Sequence, residues 1–338
     1  MTQNSGNGRE PRSWPATAHE ATRFILGHIP ESEALTGAPA DAERISRADD
    51  PAVLIEPDLM EGDSFSSVFV ADPRVARGST GFTAFLDGTQ EVRVVNQIDG
   101  IPIVWGTVSA AVRMRVNRRL VSWGRSSPIV TARYYIPFRY VDGLDADLRA
   151  YSRVVDTATP DGSGNFPSRH PAALMEAAVH KVQQDRERCE LELAEAWCAA
   201  ENGSLYMDGS ITASAIASSS RLVVGVIKSH RRLYADGNAF RVLVSLDAGC
   251  RSSIFRVAPR SRNAVASWYV RIRPARGRDA LFGLLRVEAS LSDDIVERAG
   301  EISRWLIAEG APLALPDGRW DKMAYGIRDT EEFLRAIS

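Results

Sequence analysis

The chain lacks any apolar run long enough to cross a bilayer. Its longest, such as LVVGVI at 222–227, falls far short of the roughly 20 residues a spanning helix needs. Cysteine is scarce: Cys189, Cys198 and Cys250 are odd in number, far apart and without a CxxC pair, which argues against a disulfide framework or a thiolate zinc site. The N-terminus, MTQNSGNGREPRSWP, has none of the apolar core of a secretory signal, so the expectation is a cytoplasmic protein without membrane association. Lysine is nearly absent as well, because only Lys181, Lys228 and Lys322 are lysines among 41 basic residues.

What is present is an uneven charge. The formal net charge is −2, yet between Ser218 and Ser290 there are 14 Lys plus Arg against 4 Asp plus Glu. Such a segment can form an electropositive surface on a nearly neutral protein. No internal repeat of fixed period is visible. Residues 1–20 read as a flexible arm, 21–80 as a helical or irregular region, and 81–338 as one α/β domain.

From 82 to 140, FTAFLD, VRVVNQI, IPIVWGTVSAAVRMRV and IVTARYYIPFRYV are rich in β-branched and aromatic residues, so successive antiparallel strands are expected. A loop rich in Pro, Gly and Ser, 157–171, precedes a long helical pattern from Pro171 to about Ala200. The strand SLYMD, a small-residue crossover at 210–220 and the strand RLVVGVIK follow. SWYVRIR and LFGLLRVE then lead into helices near 292–309 and 321–337. The order predicts a mixed sheet flanked by helices.

Two segments resemble each other: FTAFLDGTQE at 82–91 and LYMDGSITAS at 205–214. Asp-Gly between apolar runs is a strong hairpin signal, so Asp87 alone reads as a turn, whereas the Gly209 and Ser210 after Asp208 could equally begin a crossover. Together they gain a geometry. If the strand after the long helix pairs parallel to the first strand, Asp87 and Asp208 end up at one sheet edge, where α/β sheets favour ligands, about 4.8 Å apart. Two carboxylates so close repel unless a cation neutralises them, and their hard oxygens suit Mg²⁺ or Mn²⁺, with room for two ions about 3.5–4 Å apart. Such a site is suited to phosphoryl chemistry. Lys228, His230, Arg231 and Arg232 in VIKSHRR then become candidate grips on a polynucleotide backbone. A third carboxylate is expected from the preceding helix, where Glu190 and Glu192 lie about 200° apart around the axis, so only one can face the site. Glu288, in LLRVE, is a further candidate, or else an ion-pair partner of a nearby arginine.

The ordered series FLDGT, RCELELAEAW, LYMDGS, LVVGVIKSHRRLYADG and LLRVEAS, over roughly residues 80–338, resembles the NurA nuclease family. That resemblance implies an RNase H-like core and a metal-dependent nuclease that processes DNA ends. It also implies a homodimer, a HerA-type hexameric ATPase as partner, and a role in DNA repair or antiphage defence. It assigns the metal to Asp87, Asp208 and a helix glutamate, with Glu192 favoured over Glu190, and matches Lys228 to the basic residue of the family's GxxK strand. The family's late helix begins with a histidine, whereas no histidine follows His230 here, and Asp321 is the expected oxygen ligand in its place. Two other expectations stand beside this one: an inactive scaffold that binds DNA or the ATPase, and another RNase H-like nuclease acting on RNA or branched DNA.

Overall fold

The computed structural model describes residues 14–34, 52–75, 80–117, 119–144, 146–310 and 324–337. Thr17 accepts the Glu20 amide and so starts α1 (Ala18–His28), which buries Ala21 and Ile25. A boundary at residue 20 therefore falls inside a helix, and residues 1–13 of the expected arm lie outside the described residues. Four short strands follow: β1 (Glu33–Ala34), β2 (Val53–Leu54), β3 (Asp58–Leu59) and β4 (Ser67–Phe69). Because β1, β3 and β4 pair into the main sheet, the segment before residue 81 is stitched to the body of the protein and does not stand apart from it.

That body begins with β5 (Phe82–Ile98), β6 (Ile101–Val116), β7 (Arg119–Ser122) and β8 (Ile129–Ile136), the antiparallel strands expected from their composition. The turn between β5 and β6 is Asp99-Gly100, both with positive φ (49° and 76°), the geometry of a tight hairpin. This corrects the reading of Asp87-Gly88. That pair is neither a turn nor a strand end, because FTAFLD and VRVVNQI form one uninterrupted strand.

After α2 (Ala146–Ala150) and β9 (Val154–Asp156) comes α3 (Pro171–Ala200), with proline in its first turn and His170 accepting the Ala172 amide through Nδ1. Then follow β10 (Ser204–Asp208), α4 (Ala215–Ser219), β11 (Val223–Ile227), β12 (Arg232–Leu233), α5 (Asn238–Val244), β13 (Cys250–Ser252), β14 (Phe255–Val257), β15 (Val265–Arg271), β16 (Leu284–Ala289), α6 (Ile295–Glu309) and α7 (Tyr325–Ile337). The path through the 14-stranded sheet is β3-β14-β15-β16-β11-β10-β5-β6-β8-β9. β5, β10 and β11 are mutually parallel neighbours and most other pairs are antiparallel, which makes this a mixed α/β protein.

Each face of the sheet has its own core. Ala84 and Leu86 point to α3, among Val182, Leu193 and Trp197. Phe85 and Tyr206 point the other way, among Ile302, Leu306 and Ile327 of α6 and α7. Among the described residues no helix is long and apolar enough to cross a membrane.

Candidate metal centre

β10 runs parallel to β5 with Met207 opposite Leu86, so the next residues, Asp208 and Asp87, stand level on neighbouring strands. β10 stops at Asp208 while β5 continues, leaving a notch in the sheet. Side chains alternate along a strand, so both carboxylates project to the face where Phe85 and Tyr206, two residues earlier, pack under α6 and α7.

α7 supplies a third carboxylate. One oxygen each from Asp87, Asp208 and Glu331 all lie within 4.8 Å of one another. Glu331 did not emerge from the sequence, although a signal was there. Ile327, Glu331 and Leu334 share one helix face at intervals of four and three, so this glutamate interrupts the buried apolar stripe of α7.

The electrostatics are those of crowded acids. Burial, and next the Asp208 carboxylate, push Asp87 well above the usual carboxylate range, against the pull of Lys228. Asp87 Oδ1 accepts the Gly88 amide at 2.8 Å. Lys228 Nζ donates to Asp208 Oδ2 at 2.6 Å. Burial works against this ammonium, but Asp208 and Asp87 prevail and hold its pKa above the ordinary value.

Of the two α3 glutamates expected near the site, Glu190 is the buried one, and neither is among the three converging carboxylates. α3 turns Glu190 inward at 3% exposure and leaves Glu192 exposed to solvent, which corrects the preference for Glu192. Glu190 lies over Gly88 on the α3 face, where a Cβ on residue 88 would run into its carboxylate. It pairs with Arg186, whose Nε also donates to Gln90 Oε1 at 3.1 Å. Burial raises Glu190 to about 7, with Arg186 opposing and Asp208 adding to the rise.

Glu288 is committed elsewhere. It forms an ion pair with Arg286 at 2.9 Å, and its Oε2 accepts Ser210 Oγ at 2.8 Å and the Ile211 amide at 3.0 Å. It therefore clamps the chain leaving Asp208 and does not join the three carboxylates. Gly209 has φ 139°, and its carbonyl passes so close to Gly225 that a Cβ there would sit 2.8 Å away. His230 Nε2 donates to the Leu284 carbonyl at 2.7 Å, fixing the loop that carries Lys228, half-buried Arg231 and exposed Arg232. Asp321 lies outside the described residues.

The three oxygens are close enough to hold one metal ion, and the buried Asp87 carboxyl among them is costly to ionise without a counter-charge. Set against known proteins, the chain matches no protein-family model and no curated protein.

Proposed function

We propose that this protein is a divalent-cation-dependent nuclease with an RNase H-like fold, in which Asp87, Asp208 and Glu331 hold the metal. The observation that carries the proposal is the convergence of three carboxylate oxygens within 4.8 Å beside a half-buried lysine at the end of a parallel strand. The order β8-β6-β5-β10-β11, antiparallel over the first three strands and parallel over the last three, supports the RNase H-like reading. Glu331 supplies the late-helix ligand that the NurA resemblance gives to a histidine and for which Asp321 was the expected substitute. Following that resemblance, the substrate is a DNA end, and the protein works as a homodimer with a HerA-type hexameric translocase.

Asp87, Asp208 and Glu331 would hold a Mg²⁺ or Mn²⁺ ion, which when bound would supply activation of water and neutralisation of charge on the scissile phosphate. The chain's own residues do the rest. Asp87 and Asp208 are held at fixed separation by the ladder between β5 and β10, so no side-chain search is needed to assemble the pair. Lys228 stands 2.6 Å from Asp208 and offers its ammonium to a phosphate oxygen entering the notch. Glu190, tied to Arg186 behind Gly88, stays on the other face of the sheet and outside the ligand set.

The test is cleavage of linear, circular and branched DNA and of RNA with Mn²⁺ present. Asp87→Asn, Asp208→Asn and Glu331→Gln each lower the rate at least about 100-fold, since even outer-shell partners of metal ligands cost 10–100-fold. Variants that cut as fast as wild type overturn the assignment. A wild-type protein that binds Mn²⁺ and cuts none of these substrates is the scaffold instead.

A further inference from the structure

We infer that the turn joining β15 to β16 is a backbone-binding arm for a polynucleotide, gripping phosphates through Arg276 and Arg278 on the far side of Lys228 from the metal ligands. The inference rests on the nuclease reading above and specifies which surface the substrate crosses.

The sheet register gives the placement. β11 runs parallel to β10, with Asp208 opposite Val226, and antiparallel to β16, with Ile227 opposite Arg286. The end of β10 that carries Asp208 is therefore the end at which β16 begins and β15 finishes, so the turn 272–283 projects from the same edge as the carboxylates. Two strand spacings, about 10 Å, separate β10 from β16. At about 3.4 Å per nucleotide along a duplex strand, that is a reach of about three nucleotides.

The turn is built to hold its shape. Arg271 is completely buried and spends its guanidinium on main-chain carbonyls: Ala280 at 2.9 Å and Leu243 at 3.2 Å, with Phe282 alongside. Burying an arginine is costly, and here burial depresses its pKa. What it secures is the base of an exposed loop. Gly283, at φ 66°, packs directly on Arg273 and closes the turn. His230, through the Leu284 carbonyl, ties the base of the turn to the loop carrying Lys228, Arg231 and Arg232.

The tip is cationic and open. Arg276 and Arg278 are both exposed. Neither pairs with a carboxylate among the described residues, and Arg278 lies over the Phe282 ring at 5.4 Å. From Arg271 to Asp279 the sequence RIRPARGRD carries four arginines and one acid. A rigid cationic loop that continues the Lys228 loop at the same edge matches the repeating anionic backbone of a nucleic acid.

The experiment is fluorescence anisotropy of labelled DNA and RNA oligonucleotides in EDTA, across a salt series, with the full-length protein. Arg276→Ala/Arg278→Ala is expected to weaken binding and to lower the slope of log affinity against log salt by about 1.4 to 1.8, the loss of two phosphate contacts. Arg276→Lys/Arg278→Lys keeps the wild-type slope. A charge-matched Arg139→Ala/Arg149→Ala protein, altered near α2, also keeps it. The arm is refuted if the alanine pair at 276 and 278 binds with wild-type affinity and slope, or if the Arg139/Arg149 pair loses as much. A protein that shows the arm effect but never cuts leaves the arm standing and sinks the nuclease reading. One that binds neither DNA nor RNA sinks both.

Discussion

At the scale of single residues, the two aspartates were legible because Asp-Gly after an apolar run is a short, repeated pattern, and a parallel pairing is the simplest way to bring two of them together. The choice between Glu190 and Glu192 was not legible in the same way. Helical spacing says only that they face apart, and the packing of α3 on β5 decides which is inside. This difference is measurable. Glu192→Gln is expected to keep the Mn²⁺-induced rise in melting temperature that Glu331→Gln on α7 abolishes; a loss in the Glu192 variant would show that α3 turns this residue to the metal and not to solvent. Gly225 gives a second residue-scale prediction. An added methyl group at Gly225 would meet the Gly209 carbonyl at 2.8 Å, so Gly225→Ala costs about 1–3 kcal/mol in urea unfolding and displaces Asp208, weakening Mn²⁺ binding.

At the scale of elements, α7 carries Glu331 and packs its buried face, Ile327, Thr330 and Leu334, on β5 and β6. Gly326 lies flat on the Phe85 ring with no room for a side chain. Arg113 of β6 reaches Asp329 at 2.7 Å and covers Phe333 at 4.7 Å. Arg113→Ala is expected to leave the global unfolding midpoint nearly unchanged while weakening Mn²⁺ affinity about 10-fold, as for other outer-shell losses; calorimetric titration measures it. α3 carries a different signature. Glu190 has its pKa raised from 4.5 to about 7, so in that window the folded protein keeps a proton that the unfolded chain has released. Stability of the metal-free protein therefore falls as pH rises from 4.5 to 7, by about 3 kcal/mol from this group alone. Glu190→Gln should flatten that slope in urea titrations, and an unchanged slope would place the proton elsewhere.

At the scale of the whole molecule, the helices and long strands could be read from composition and period, and the crossover from α3 to a parallel strand followed from their order. The small strands before residue 81 could not. β1, β3 and β4 are two or three residues long, and their pairing with β5, β14 and β13 is fixed by distant sequence and not by local pattern. The uneven charge was visible as a count, but its division into a buried staple at Arg271 and an exposed tip at Arg276 and Arg278 required the register of β15 and β16. A cation that binds only the folded chain adds about 2.7 kcal/mol at a hundred times its dissociation constant, so the melting temperature should climb with Mn²⁺ and stay flat when Asp87 is replaced by Asn.

The three carboxylates come from residues 87, 208 and 331, one on each of three elements separated by more than a hundred positions. Contacts of such long range form late, after loop closure has been met by the rest of the sheet. A half-finished or misdocked chain thus holds Asp208 paired with Lys228 but lacks the third carboxylate of the centre. The distance along the polypeptide would then act as a safety catch: the activity proposed for this centre would be armed only in molecules that have finished folding.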